Sequence, residues 1–191
     1  MALLDLDARW RRFNDPDRAC PCCGQRFSGV FDIGFDHPTP WAHEPREDQP
    51  FVKQGDDQLT ADLCRAGDQR FVRVVMSFPV QGAEDEVMHI TPWAELGPEA
   101  FYAYLETFDG GDAPAVDDAP AALANQLPGF EDETEDALPI LLHFPGPDAR
   151  PIALAQGGKL AEAQENGVSF DQLLDIYAAF GQDIRPHLQQ D

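Results

Sequence analysis

Phe71-Val72-Arg73-Val74-Val75-Met76-Ser77-Phe78 carries the strongest β-strand pattern of this chain, and Pro79 follows it directly. Aromatic and β-branched residues favour strands, whereas proline cannot donate to a backbone ladder. We therefore predict one strand over residues 70–80. Residues 87–93 are predicted to form its partner strand, and residues 81–86 the hairpin connection between them.

Helical periodicity outside this hairpin predicts three helices. Residues 3–13 and 98–108 each repeat apolar side chains at helical spacing. Ser169 and Gln172 form a capping-box pattern at the start of a third, C-terminal helix. Shorter strands are predicted near residues 59–65, 138–144 and 151–155. The expected fold is α+β, an antiparallel sheet with helices packed against it.

The length of the chain fits one domain over residues 1–191. Within it we distinguish an N-terminal helical segment at residues 1–18 and a core over residues 19–181. Residues 109–136 are rich in Asp, Glu, Ala, Pro and Gly, so we expect a long acidic excursion there. One short helix is predicted inside that excursion, near residues 120–126.

Charge restricts the partners that this chain can bind. Thirty-five acidic residues against 13 basic ones give a formal net charge of −22, which repels nucleic acid and anionic membranes. We therefore expect that the protein binds neither nucleic acid nor membranes. The acidic surface could serve solubility alone, and the sharper alternative is that it binds a protein partner with a basic surface. The acidic N-terminal start does not resemble a signal peptide, so the expected location is the cytoplasm.

A cysteine-rich turn follows the first predicted helix, at Ala19-Cys20-Pro21-Cys22-Cys23-Gly24. The Cys-x-x-Cys spacing of Cys20 and Cys23 is typical of a zinc knuckle, and the spacing of Cys22 directs it away from a shared metal. A closed zinc site needs four ligands. Cys64 is the predicted third ligand, and the fourth is left open, with His37, His43 and, despite its spacing, Cys22 as further candidates.

Two other interpretations of these cysteines compete with zinc. The thiols could be small buried apolar side chains, without any metal. A thioredoxin-like redox pair is disfavoured, because that motif precedes a helix and a strand is expected here.

Catalytic residues are not identified by any motif. None of the serines lies in a Gly-x-Ser-x-Gly elbow, and Gly157-Gly158-Lys159 lacks the rest of a phosphate-binding loop. His89 and His143 lie in predicted strands, where a histidine with a local polar partner is the simpler interpretation.

The order of several short motifs resembles a known bacterial family, domain of unknown function 2199, over residues 19–181. The matching pieces are Cys20-x-x-Cys23-Gly24, residues 59–64 (ending in Asp-Leu-Cys), 71–73, 79–80, 93–105 and 127–130, and the capped C-terminal helix. The resemblance implies a small cytoplasmic protein without an established activity, and it supplies no catalytic residues. Members of the family often have a histidine at the position of Phe27, and a Trp-Gly pair where this chain has Met88-His89. This chain departs from the family pattern at both places.

Three functions remain open from the sequence. The first is a non-enzymatic protein-binding or regulatory module with a structural zinc knuckle. The second is a metal-dependent enzyme that uses a Cys/His site. The third is an acidic immunity-type protein that masks a basic partner, whose binding would weaken with salt.

Overall fold

A computed structural model describes residues 3–109, 115–130, 138–146 and 148–189. The strands are β1 (Ile33–Gly34), β2 (Phe51–Gln54), β3 (Asp57–Thr60), β4 (Leu63–Ala66), β5 (Gln69–Arg73), β6 (Met76–Val80), β7 (Ala83–Thr91), β8 (Trp93–Leu96), β9 (Ala119–Leu123), β10 (Pro139–His143) and β11 (Ile152–Ala155). The helices are α1 (Ala8–Phe13), α2 (Pro98–Glu106), α3 (Gly158–Asn166) and α4 (Phe170–Ala179). Short 3₁₀ turns cover Leu3–Leu6, Thr107–Asp109 and Arg185–Leu188.

The described strands form two sheets. The larger sheet has eight strands in the order β11-β10-β9-β8-β5-β4-β3-β2, and every neighbouring pair is antiparallel. The smaller sheet has the order β1-β7-β6, with β1 parallel to β7. Helices pack against these sheets, which confirms the predicted α+β class.

The predicted strand over residues 70–80 is wrong in one respect, because it is two strands in two sheets. β5 belongs to the large sheet and β6 to the small one. Between them, Val74 donates to the carbonyl of Pro92, and Val75 donates to the carbonyl of Pro151. The alternation of buried residues continues across this junction, so the sequence pattern contains no break. The predicted partner strand is divided at Pro92 in the same way, into β7 and β8.

The short helix predicted near residues 120–126 is also wrong, because this segment contains strand β9. β9 pairs with β8 on one side and β10 on the other, inside the large sheet. Its sequence, Ala-Pro-Ala-Ala-Leu, has little intrinsic strand preference, so pairing on both sides overrides propensity. Residues 110–114 and 131–136 of the predicted acidic excursion lie outside the described residues.

Helix α4 follows its sequence pattern closely. The Ser169 hydroxyl accepts from the backbone N–H of Gln172, and the Gln172 side chain accepts from the N–H of Ser169, so the predicted capping box is present. Tyr177 on this helix is fully buried and stacks on Phe31 with ring centroids 3.9 Å apart. The helix thereby fixes the segment that follows the cysteine turn.

Two hydrophobic clusters fill the fold. The larger one contains Trp10 and Phe13 of α1 together with α4 and one face of the large sheet. The smaller one lies on the other face of that sheet and consists of Trp41, Leu59, Cys64, Ala66, Phe71 and Trp93. Among the described residues, no helix is long and apolar enough to cross a membrane.

Candidate metal centre

The cysteine turn is a tight backbone loop. Cys20 donates its N–H to the carbonyl of Gln25, and Gly24 donates its N–H to the carbonyl of Cys20, each at a distance of 2.8 Å. Ala19 and Arg26 form an isolated antiparallel bridge at its base. Gly24 has φ +77°, a conformation that glycine adopts without steric cost. These contacts direct the cysteine side chains to one side of the loop.

The Sγ atoms of Cys20, Cys22 and Cys23 converge on one ring nitrogen of His187. The distances from its Nδ1 are 3.2 Å to Cys20, 3.7 Å to Cys22 and 3.4 Å to Cys23. The Sγ atoms of Cys20 and Cys22 are 2.9 Å apart, and all four donor atoms lie within 4.8 Å of one another. The four side chains thus form a compact group of three sulfurs and one nitrogen.

His187 reaches this group through the 3₁₀ turn at Arg185–Leu188, close to the C-terminal end of the chain. Two arginines near the N-terminus hold that turn. The Nη1 atom of Arg18 donates to the carbonyl of His187, and that of Arg12 donates to the carbonyl of Leu188, each at a distance of 2.9 Å. The His187 ring also packs against Phe27, with centroids 5.6 Å apart. Contacts on both sides therefore orient the imidazole.

The donor set fits a four-coordinate metal. Zinc binds thiolate sulfur at about 2.3 Å and imidazole nitrogen at about 2.0–2.1 Å. A tetrahedron of those lengths has sulfur–nitrogen edges of about 3.6 Å, and the three distances to His187 bracket that value. The 2.9 Å separation of Cys20 and Cys22 is shorter than the corresponding sulfur–sulfur edge of about 3.8 Å, so these two thiols would move apart on binding. The group of Cys20, Cys22, Cys23 and His187 could hold a metal ion.

The thiols differ in acidity. Hydrogen bonds from Cys22 and, to a smaller extent, from His187 lower the pKa of Cys20 to about 6. The same contact with Cys20 raises the pKa of Cys22 to about 11. One thiolate is therefore available at neutral pH, and a bound metal would displace the protons of the others.

The structure brings together only part of the ligand set expected from the sequence. Cys20 and Cys23 both lie in the group, whereas Cys64 is buried in the smaller hydrophobic cluster. Burial raises the pKa of Cys64 to about 12, which keeps its thiol protonated at neutral pH. Cys22 was predicted from its spacing to point away from the metal, but it lies in the group. The metal assignment itself stays a prediction.

The other candidate histidines are engaged elsewhere. His37 contacts the carbonyl of Pro38 through Nδ1, and His43 contacts the carboxylate of Asp57 at 2.8 Å. His89 and His143, treated as sheet histidines in the sequence, pair with Ser77 and Asp118 respectively. His187 carried no local sequence pattern. The indication in the sequence was that residues 20–23 contain three cysteines, one more than the two donors of a Cys-x-x-Cys knuckle.

Comparison with known proteins identifies a family and no individual relative. A family model described as "Uncharacterized protein conserved in bacteria (DUF2199)" matches residues 19–168. No curated protein and no solved structure matches this chain. The matched region includes the cysteine turn and ends before α4 and before His187. Because the match covers most of the chain, the protein belongs to DUF2199, a family of uncharacterised proteins conserved in bacteria.

Proposed function

We propose that this protein is a non-enzymatic protein-binding or regulatory module in which a structural zinc ion joins the cysteine turn to the C-terminal 3₁₀ turn. One observation carries the proposal: three sulfurs and one imidazole nitrogen lie within 4.8 Å of one another. Structural zinc sites use four protein ligands of this kind, whereas catalytic sites use three and keep one position open for water or substrate.

The choice of zinc rests on the chemistry of the donors. Thiolates select zinc, copper(I) and iron–sulfur clusters, and imidazole is a good ligand for zinc. A Cys3His set is one of the common structural zinc combinations. The hard cations magnesium and calcium prefer oxygen ligands, which this group lacks.

The proposed site has a clear structural role. Cys20 and His187 are 167 positions apart, so a shared metal would close a loop that contains nearly the whole chain. Closing a long loop restricts the unfolded chain and therefore favours the folded state. The energy of metal binding would contribute directly to folding, as it does in other structural zinc sites.

The two alternative functions have weaker support. A metal-dependent enzyme needs an open coordination position, and four protein donors occupy all positions of a tetrahedral ion. An immunity-type role depends on the net charge of −22, which would attract a basic protein over most of the surface. We retain a partner with a basic surface as part of the protein-binding proposal.

Metal analysis tests this proposal. We expect purified protein to contain stoichiometric zinc, and a chelator to lower its unfolding temperature. His187→Ala should bind the metal about 100-fold more weakly than the parent. His143→Ala should keep the affinity of the parent, because His143 is a half-exposed residue paired with Asp118 outside the group. Protein that neither contains zinc nor is stabilised by added zinc would overturn the proposal.

Cobalt substitution separates the structural site from the catalytic alternative. Cobalt(II) in a closed tetrahedral site should show intense visible absorption together with a sulfur-to-cobalt charge-transfer band. Added cyanide or azide should leave that spectrum unchanged, because no coordination position is free. A spectrum that shifts with either anion would favour the enzyme.

A further inference from the structure

The two edges of the large sheet are treated differently. At the β11 edge, the side-chain amide of Gln164 in α3 takes the hydrogen bonds that a neighbouring strand would make. It accepts from the N–H of Ala155 and donates to the carbonyl of Ala153, each at a distance of 2.8 Å. The N–H of Ala153 donates to Val75. Edge strands are commonly blocked in this manner, because their free backbone groups otherwise pair with other chains.

The β2 edge has no such cover among the described residues. β2 and β3 are joined by Gly55-Asp56, with Gly55 at φ +64°, as in a two-residue hairpin turn. Gln54 and Asp57 therefore form a hydrogen-bonded pair, and bonded and non-bonded pairs alternate along the strand. It follows that the backbone N–H and C=O groups of Phe51 and Lys53 point towards the free edge.

A row of cationic side chains begins at this edge. Lys53 lies opposite Gln58, Gln58 opposite Arg65, and Arg65 opposite Arg70, so all four share one face of the sheet. With strands about 4.8 Å apart, this row extends about 14 Å. None of its three cations forms an ion pair with an acidic residue in the described ranges. The buried Nε of Arg65 has no hydrogen-bond partner there either.

The opposite face of the same strands carries an apolar group beside the polar pair of Gln54 and Asp57. Val52 lies opposite Leu59, and Leu59 opposite Cys64. Leu59 and Cys64 are buried in the smaller hydrophobic cluster, and Val52 packs against it. A strand added next to β2 would thus meet Lys53 beside Phe51 on one face, and Val52 at the border of an apolar cluster on the other.

We propose that the β2 edge binds an extended segment of a partner protein in which acidic and apolar residues alternate. The segment would pair its backbone with Phe51 and Lys53, direct a carboxylate towards Lys53 at the start of the cationic row, and direct apolar side chains towards Val52. Side chains alternate between the faces of a strand, so the period of two follows from the two faces. Strand addition of this kind is a recurrent mode of peptide recognition.

Two other occupants are less favoured by the charges. A second copy of this chain would bring its own β2, which carries the same lysine, together with a second net charge of −22. A nucleic acid would be repelled over most of the surface, although its phosphates could neutralise the row. A short acidic segment satisfies the local cations and adds little long-range repulsion.

This inference rests on the protein-binding part of the proposed function, and it uses no residue of the metal group. The test is the fluorescence anisotropy of a labelled peptide in which glutamate and valine alternate, titrated with the full chain. A lysine–valine peptide of equal length serves as the control. We expect the glutamate peptide to bind and its affinity to fall as salt is raised. Binding of the lysine peptide alone would overturn this inference and leave the basic-partner proposal standing.

Variants locate the binding at β2. Phe51→Pro removes an outward N–H that the sheet does not use, so it should weaken binding about fivefold relative to Phe51→Ala, which removes only the ring. Lys53→Glu should weaken binding about fivefold or more, whereas Lys159→Glu makes the same charge change in α3 and should have little effect.

Several outcomes would contradict the inference. Equal affinity for the two Phe51 variants, equal effects of the two lysine variants, or no binding of the glutamate peptide would each overturn it. Displacement of the glutamate peptide by single-stranded DNA at a lower concentration than by unlabelled peptide would indicate nucleic acid instead, and would also overturn it. Circular dichroism and zinc content verify that each variant is folded.

Discussion

The Sγ atom of Cys20 lies 3.2 Å from the Nδ1 atom of His187, although 167 positions separate the two residues. The segment that carries His187 is held by Arg12 and Arg18, which come from the N-terminal part of the chain. The N-terminal segment with Arg12 and Arg18 and the 3₁₀ turn at Arg185–Leu188 therefore meet at the cysteine turn. A metal at this point would make the position of the C-terminal turn depend on the state of three thiols.

Cys22 and Cys64 are expected to respond oppositely to substitution. Cys22→Ser removes one of four donors, so zinc affinity should fall about 100-fold. This loss corresponds to about a quarter of the binding free energy of roughly 10–16 kcal/mol that is typical of structural zinc sites. Cys64→Ala lies in the smaller hydrophobic cluster and should keep the affinity of the parent protein. Competition with a chromophoric chelator measures both values. A loss of zinc on Cys64→Ala with retention on Cys22→Ser would contradict the geometry.

Local patterns predicted the start of helix α4 well, but not strand β9. The capping box at Ser169 and Gln172 was predictable because both partners lie within one helical turn. The division of residues 70–80 was not, since Val72, Val74, Met76 and Phe78 keep the alternation of one continuous strand. What separates β5 from β6 is pairing with distant carbonyls, and such pairing leaves no mark on hydrophobic periodicity.

The candidate sites show the same limit. Cys20 and Cys23 were identified from their spacing, but the contribution of His187 depends on how the two ends of the chain fold together. The cationic row is likewise a consequence of register, because Lys53, Arg65 and Arg70 are scattered along the sequence and become neighbours only when three hairpin connections are fixed. A one-residue shift would place Lys53 on the other face.

Asp57 should make the stability of the hairpin region depend on pH. The backbone N–H of Gly67, followed by the His43 side chain, lowers the pKa of this carboxyl below its usual value. The folded state thus binds the proton less readily than the unfolded state. The resulting stabilisation is present above the unfolded pKa of about 4 and is lost as the pH falls through the lower folded value.

Urea unfolding of Asp57→Asn measures this contribution. The variant should be less stable than the parent at pH 6, and the difference should shrink progressively as the pH falls below about 4. Asp56→Asn is the control, because the Asp56 side chain has no hydrogen bond within the described part of the chain. A difference between parent and Asp57→Asn that stays constant over this range would exclude the carboxylate as its source.

The hydroxyl of Tyr177 joins α4 to the segment after the cysteine turn. It accepts from the backbone N–H of Phe31 at 3.0 Å and donates to the carbonyl of the same residue at 2.9 Å. Tyr177→Phe keeps the stacked ring but leaves both backbone groups without this partner, so the free energy of unfolding should fall by about 1–3 kcal/mol. Tyr102→Phe removes an exposed hydroxyl that is 3.4–3.5 Å from Arg70 and should change stability by less than about 0.5 kcal/mol. Equal losses would show that the Phe31 contacts do not stabilise the fold.

Among the glycines of the described residues, Gly167 is one where an added side chain would meet backbone at close range. It ends α3 with φ +78°, and an added Cβ would lie 2.5 Å from the carbonyl oxygen of Pro79. The same carbonyl accepts from the N–H of Val168, so the backbone cannot move away without breaking that bond. Gly167→Ala should therefore lose more than about 3 kcal/mol of unfolding free energy, through backbone strain and this overlap together. Gly55→Ala is the matched control, since Gly55 has φ +64° with open space around it, and should lose only about 1 kcal/mol. Urea unfolding at neutral pH compares the two, and similar losses would show that the approach of Pro79 imposes no constraint.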